Sequence, residues 1–191
     1  IIIQAFFREL KDDNWTLSID RFCILASISF GGSLLFYPET INLILFSSQN
    51  ESIKTILPII ALIVFITSLT NTAGTKMLLL EMDEKYFLTY FTGAIGVILT
   101  LFIAKMLGLN FLGILLAIIV GELIIFILFT RYLGFKQYTL NRIVEFLKNL
   151  PLLIILLISM VILGDSLLGL IVSVLIILNI IFFLQRNILI K

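Results

Sequence analysis

Residues 109–131 read LNFLGILLAIIVGELIIFILFTR, and Glu122 is the one charged side chain of this stretch before Arg131. About 20 consecutive apolar residues are enough for an α-helix to cross a hydrocarbon layer of about 30 Å. A transmembrane β-strand would instead alternate apolar and polar residues, and this stretch does not alternate. It therefore predicts a membrane-spanning helix.

Five further apolar runs of similar length flank this stretch. The chain of 191 residues is 61% hydrophobic and 13% charged, whereas soluble domains average about 25% charged residues. Its mean hydropathy is +1.21. We predict an all-α fold, a polytopic membrane helical bundle with about six transmembrane helices. The predicted spans are 22–46, 53–76, 86–107, 109–131, 147–164 and 166–185.

The number of basic residues alternates between the gaps that separate the apolar runs. Alternate gaps together contain 11 and 2 Lys and Arg residues. Such a bias is typical of membrane proteins, because basic loops are retained in the cytoplasm. Both ends of the chain and the loops around residues 81 and 140 are therefore predicted to be cytoplasmic.

Several functional classes have no support in the composition. The chain has no His and a single Cys, Cys23, so it forms neither an internal disulfide nor a zinc cluster and lacks the commonest proton shuttle. The acidic stretch 81–84 is followed directly by Lys85 and has no second acidic motif to complete a metal site. The net charge is +1 and no basic block is present. We predict no enzymatic activity, no cofactor and no nucleic-acid partner.

The order of polar and apolar segments predicts four regions. Residues 1–21 are interpreted as the end of a preceding helix and a cytoplasmic loop, which makes the chain the C-terminal part of a longer protein. Residues 22–134 hold four transmembrane helices. Residues 135–150 form an amphipathic segment in the membrane interface before the chain turns inward. Residues 151–191 form an accessory hairpin and a cytoplasmic tail.

Small and polar residues are concentrated on particular faces of the middle helices. On the second and third helices these faces either line a polar cavity or form hydrogen bonds between helices, and both interpretations stand. On the fourth helix, Gly113, Ala117 and Gly121 form a ridge that favours close helix packing. The faces of the second and third helices comprise Thr67, Asn71, Gly74 and Thr75, and Thr89, Gly93, Gly96, Thr100 and Ala104.

Glu122 lies near the middle of its predicted span. A carboxylate at that depth costs several kcal/mol if it faces lipid, so it should be protonated or face a cavity or a partner. Two roles are consistent with this position: a site where a proton or cation is coupled to a conformational change, or a structural hydrogen bond. Lys76 and Lys105 lie at helix ends, from which their side chains reach the interface. Lys76 continues the polar face of the second helix and is a candidate for contacting a phosphate.

The order of these features resembles that of a known family. Residues 74–85 read GTKMLLLEMDEK, residues 105–113 read KMLGLNFLG, residues 117–122 read AIIVGE and residues 131–134 read RYLG. With Gly93 and Gly96 between them, these motifs resemble the C-terminal lobe of polysaccharide and O-antigen flippases, in the multidrug/oligosaccharidyl-lipid/polysaccharide exporter superfamily. The resemblance covers roughly residues 4–134 and includes Pro38 late in the first span. Residues 135–191 resemble the extra hairpin of 14-helix members.

This resemblance implies two six-helix lobes that alternate access around a central cavity and carry a lipid-linked oligosaccharide across the bacterial inner membrane. The N-terminal lobe of the same protein would then be missing from this chain. Family members typically line the cavity with basic residues that attract the diphosphate linkage, for which Lys76 and Lys105 are the candidates here. Many couple transport to an ion gradient, and Glu122 is the candidate for a proton or sodium site.

Two other functions fit the sequence. A drug or cation antiporter of the same superfamily would be expected to have more acidic residues facing its cavity. A non-transporting module that scaffolds an envelope-synthesis complex would have a dry centre, in which the Thr and Asn side chains are paired between helices.

Overall fold

The computed structural model describes residues 13–46, 51–70 and 73–189, and all elements within these ranges are helices. The all-α prediction is therefore confirmed for these residues, whereas the predicted helix end before residue 8 lies outside them. A π-helical turn, Phe135–Thr139, joins the helices Asn110–Leu133 and Leu140–Leu163. The helices are α1 (Asp13–Phe36), α2 (Pro38–Phe46), α3 (Glu51–Thr70), α4 (Ala73–Leu79), α5 (Asp83–Met106), α6 (Asn110–Leu133), α7 (Leu140–Leu163) and α8 (Leu167–Leu189).

Within the described residues, four segments are long and apolar enough to cross a membrane. The first is Ile53–Leu79, and its described residues belong to α3 and α4. The other three are α5, α6 and α7. The pair Arg21–Phe36 and Pro38–Leu45 would make a fifth span, but it is bent by 97°. The apolar part of α8, Leu167–Ile180, is shorter. These helices indicate a membrane-embedded protein, and the predicted number of six spans is not confirmed.

The α5–α6 hairpin shows why these helices end where they do. α5 ends at Met106, and Gly108 adopts φ +70°, a backbone conformation that favours glycine. The chain then reverses within three residues, and Leu109 N donates to Ala104 O at 2.9 Å. This turn satisfies carbonyl groups that the end of a helix would otherwise leave unpaired.

The described chain divides into two compact units. The first comprises the described residues of Ile1–Leu25 and Leu62–Leu147, and the second comprises those of Ala26–Ala61 and Lys148–Lys191. In the first unit, α5 and α6 pack so closely that a Cβ atom on Gly121 would lie 2.4 Å from Val97 Cγ2. The ridge predicted on the fourth helix therefore faces α5, in agreement with the packing interpretation.

A small apolar core joins α4 to α6 within the first unit. The ring of Phe129 is fully buried and meets the ring of Tyr90 edge to face, with centroids 5.7 Å apart. Contacts of this kind bury large apolar surfaces and fix the angle between the helices. The buried residues of this core are Ala73, Met77, Ile125, Phe129, Leu133 and Tyr138.

In the second unit, the α7–α8 hairpin packs against the end of α1. Gly32 lies against Leu153 and Leu156 of α7, and a Cβ atom there would lie 2.5 Å from Leu156 Cδ1. The buried ring of Tyr37 places its hydroxyl 2.9 Å from Ser173 Oγ of α8. The bent pair α1–α2 is thus held by both helices of the hairpin.

The segment predicted as interfacial, 135–150, is not separated from the helix that follows it. α7 runs without interruption from Leu140 to Leu163, and Pro151 lies inside it. The predicted boundary at residue 151 therefore does not coincide with a helix end. Proline is tolerated inside apolar membrane helices, because neighbouring groups satisfy the backbone atoms that it leaves unpaired.

Candidate functional site

Glu122 is half-buried on α6, within a stretch that is otherwise apolar from Phe111 to Phe129. One of its carboxylate oxygens, Oε2, lies 3.4 Å from the hydroxyl of Thr70 on α3. The contact joins two candidate membrane-spanning segments, Asn110–Leu133 and Ile53–Leu79. An ionisable side chain at this depth in an apolar helix is a candidate for a functional site.

The hydroxyl of Thr70 has two acceptors within reach. Its Oγ1 lies 3.0 Å from the carbonyl oxygen of Thr67 and 3.4 Å from Oε2 of Glu122. A hydroxyl carries a single hydrogen, so it donates fully to one acceptor at a time. Ionised Glu122 requires that hydrogen, whereas protonated Glu122 can itself donate to Oγ1 and leave Thr70 bonded to Thr67. The two protonation states of Glu122 therefore select different hydrogen-bond arrangements.

A buried guanidinium contacts the residue next to Thr70. Arg142 of α7 is 4% exposed, and its Nη1 donates to the carbonyl oxygen of Leu69. Its Cζ lies 4.9 Å from the centroid of the Tyr138 ring. Because a guanidinium stays charged at all physiological pH values, this places a permanent positive charge beside the end of α3.

The Tyr138 ring is also close to a second cation. Lys76 Nζ, on α4, lies 5.8 Å from its centroid, within the range of a cation–π interaction. The ring itself is buried. We refer to Glu122, Thr70, Arg142, Tyr138 and Lys76 as the polar cluster.

The chemistry of the polar cluster has to be interpreted from its own residues. No protein-family model, curated protein or solved structure matches this chain. The residues of the cluster supply one carboxylate, one hydroxyl, one phenol ring and two cations. Such a combination suits the binding of a proton, of an anionic group, or of both.

The acidic residue of α7 pairs with a residue outside the polar cluster. Glu145 of α7 lies 3.7 Å from Arg21 Nε of α1. Across the described ranges, no three His, Cys, Asp or Glu side chains are grouped so that they would hold a metal ion. The carboxylate of the polar cluster is therefore considered as a single group.

The remaining predicted site residues that the structure describes lie on α3, α4 and α5. The carbonyl oxygen of Thr67 accepts the Thr70 hydroxyl, and Thr75 is half-buried on α4. Thr100 donates to Gly96 within α5 at 2.8 Å. Lys105 is exposed in the last turn of α5. Asn71 lies outside the described residues.

The Thr hydroxyls of α5 form hydrogen bonds within their own helix. The hydroxyls of Thr89 and Thr100 donate to carbonyl oxygens one turn earlier in their own helix, at 2.7 Å and 2.8 Å. A hydroxyl satisfied within its own helix needs neither a cavity nor a partner helix.

Three residues of the polar cluster were not predicted. Thr70 lies one turn after Thr67, so its position on the same face was the available signal. Arg142 lies in the segment predicted to be interfacial, 135–150, yet it is buried. Tyr138 lies in the same segment, and its burial and its contacts with two cations depend on tertiary structure that sequence spacing does not contain.

Proposed function

We propose that this chain is the C-terminal lobe of a two-lobe, alternating-access flippase in the polysaccharide and O-antigen family. It would carry a lipid-linked oligosaccharide across the bacterial inner membrane, with both ends of the chain in the cytoplasm. The observation that carries the proposal is the contact between Glu122, inside an apolar segment, and Thr70 of a second such segment. The substrate class comes from the sequence resemblance alone.

Glu122 is proposed to couple transport to an ion, a proton or sodium. Binding of that ion would remove the need for the Thr70 hydrogen, which Thr70 would then give entirely to Thr67. A change in the partner of a hydrogen bond between two helices favours one arrangement of those helices over another, which is what a two-state transporter requires. The ion would thereby control the α3–α6 contact.

The cations of the polar cluster are proposed to attract the diphosphate of the lipid-linked substrate. Lys76 Nζ and Arg142 Cζ lie 5.8 Å and 4.9 Å from the centroid of the Tyr138 ring. Arg and Lys are the usual ligands of phosphate oxygens in proteins. Lys105 is exposed at the far end of α5 and would contribute only to the general attraction. The N-terminal lobe would supply the rest of the cavity.

A non-transporting scaffold is the second candidate, and one observation favours it. The hydroxyls of Thr89 and Thr100 are satisfied within α5, and α5 packs closely on α6 through glycines. A closely packed hairpin whose Thr89 and Thr100 hydroxyls are bonded internally would suit a module that only anchors other proteins. A drug or cation antiporter of the same superfamily is the alternative if the protein transports drugs or cations and no lipid-linked glycan.

The experiment is complementation by the full-length gene in a bacterium that lacks its surface-polysaccharide flippase, scored by surface glycan. We expect restoration by the unaltered gene and none by Glu122→Gln, because an amide cannot exchange a proton. Thr70→Val should lower export about 2- to 10-fold, which corresponds to one hydrogen bond of about 0.5–1.5 kcal/mol. Thr92→Val is the matched control, because this hydroxyl is bonded only to Leu88 among the described residues.

The outcomes separate the candidate functions. Normal export by Glu122→Gln would reduce Glu122 to a packing residue. Failure of the unaltered gene, despite stable membrane expression, would favour the antiporter or the scaffold. Drug-efflux and ion-exchange assays in the same strain would then distinguish these two.

A further inference from the structure

The bend between α1 and α2 is confined to three residues. The two helices differ in direction by 97°, yet Tyr37 N still donates to Ser33 O at 2.9 Å, and Ile41 N still donates to Tyr37 O at 3.0 Å. Helical hydrogen bonding is therefore intact on both sides, and only residues 38–40 are affected. Pro38 has no N–H, so one bond is lost there in any conformation.

The other two amides have a partner from a distant part of the chain. In a continuous helix, Glu39 N and Thr40 N would donate to the carbonyl oxygens four residues earlier. Instead they donate to the two oxygens of Asp165, at 2.7 Å to Oδ2 and 3.0 Å to Oδ1. One carboxylate thus replaces both helical hydrogen bonds that the bend removes.

Asp165 is held in place by the turn between α7 and α8. Gly164 adopts φ +72°, and Ser166 N donates to its carbonyl oxygen at 3.0 Å. The hydroxyl of Ser166 accepts Gly169 N at 3.1 Å, which caps the start of α8. At the bend itself, the hydroxyl of Tyr37 forms a hydrogen bond with the hydroxyl of Ser173 on α8. The position of the Asp165 carboxylate is therefore set by the α7–α8 turn itself and does not depend on its contact with α2.

We propose that Asp165 is a clamp that keeps the α1–α2 pair bent, and that its release lets the two helices straighten. Without the carboxylate, the amides of Glu39 and Thr40 lose this acceptor, and the loss is unfavourable at Thr40 because that residue is buried. Straightening returns both amides to helical acceptors. The straight segment, Arg21–Leu45, would be about 37 Å long at about 1.5 Å per residue, enough to cross a membrane.

The α7–α8 hairpin would then set the conformation of the bent span. Any movement of its turn by a few ångströms would break both hydrogen bonds of the clamp at once, since the same side chain makes them. The inference does not depend on the proposed transport of glycan. It assigns a conformational role to a hairpin that the sequence predicts to be accessory.

The test is a distance between spin labels in the whole protein in lipid nanodiscs. Labels are attached at Ala26→Cys and Ile44→Cys in a Cys23→Ser background. From the helical rise of about 1.5 Å per residue, the two backbone positions are about 18 Å apart when bent and about 27 Å apart when straight. We expect the short distance in the unaltered protein and the long one in Asp165→Ala. Asp165→Asn, with one acceptor oxygen left, should show a mixture.

Two control variants keep the clamp and change its surroundings. Glu39→Gln removes the ion pair between Glu39 and Lys54, which is 3.1 Å long, and should keep the short distance. Pro38→Ala restores an N–H at the bend and should also keep it, because Asp165 still holds the next two amides. Size-exclusion chromatography selects folded protein before each measurement.

Two results would overturn the proposal. A short distance in both Asp165→Ala and Asp165→Asn would mean that Pro38 and packing alone fix the bend. A long distance in Pro38→Ala would mean that proline, and not the carboxylate, prevents straightening. The second result is available even if Asp165→Ala does not fold, since Pro38→Ala leaves Asp165 unchanged.

Discussion

Replacing Gly113 by Ala tests how closely α5 and α6 approach each other. The added Cβ atom would lie 2.6 Å from Ala104 Cβ, whereas two carbon atoms rest at about 3.5–4.0 Å. The shortfall is about 1 Å. Because Ala104 Cβ is attached directly to the backbone, no side-chain rotation relieves the contact, and the helices themselves must separate.

The size of the effect follows from two opposing contributions. Overpacking of this kind costs about 1–3 kcal/mol, and exchange of Gly for Ala inside a helix returns about 1 kcal/mol. Gly96→Ala is the matched control. Its Cβ atom would lie 2.3 Å from Ile124 Cδ1, but this is the end of a flexible side chain that can move away. Gly113→Ala should therefore be less stable than Gly96→Ala by about 1–3 kcal/mol, or roughly 2–12 °C in Tm for a chain of this size.

The assay is thermal unfolding in detergent, followed by size-exclusion chromatography of the protein that remains folded. Adding Ala104→Gly to Gly113→Ala removes the clashing atom, so the double variant should be more stable than the sum of the two single changes. A coupling of about 1 kcal/mol or more is expected for residues in contact. Equal stability of Gly113→Ala and Gly96→Ala, or additive effects in the double variant, would refute the close approach.

Two further predictions concern the buried cation and the topology. Arg142→Met should destabilise the protein by about 1–3 kcal/mol, because it leaves the carbonyl of Leu69 without this donor. The control, Arg131→Met at an exposed position, should change stability by less than about 0.5 kcal/mol. Equal losses of stability in thermal unfolding would contradict the contact between Arg142 and Leu69. A cysteine at Gly164 should react with an impermeant thiol reagent outside intact cells, and one at Gln137 should not. Labelling of Gln137 alone would invert the topology that the charge bias predicts.

The helices themselves were largely predictable from the sequence. Two predicted spans, 86–107 and 109–131, correspond to α5 and α6, which begin and end within three residues of them. Their prediction succeeds because a backbone in lipid must satisfy its hydrogen bonds within its own segment, so a long apolar run leaves few alternatives to a helix. The bend after α1 was not predicted, although Pro38 was visible. It depends on Asp165, which is 126 positions away from Glu39 in the chain.

The candidate site was predictable in part for the same reason. Glu122 stands out because a charge inside an apolar run is costly wherever its partners lie. Its partner Thr70 is 52 positions away, and the carbonyl that Arg142 contacts is 73 positions away. Contacts between residues so far apart in the sequence produce no local sequence pattern. The sequence therefore singled out Glu122 and Lys76, and the structure identified Thr70 as the partner of the acid and Arg142 as a second cation beside Tyr138.

The sequence by itself determined that this protein is helical and apolar enough to lie in a membrane. Both properties depend on contiguous residues, since helical hydrogen bonds join positions four apart and spanning length is the length of one run. The tertiary structure alone decided which polar groups meet: Glu122 with Thr70, Arg142 with Leu69, and Asp165 with the amides at the α1–α2 bend. These contacts depend on which helix faces are brought together in space, and helices of similar apolar composition do not encode that choice locally.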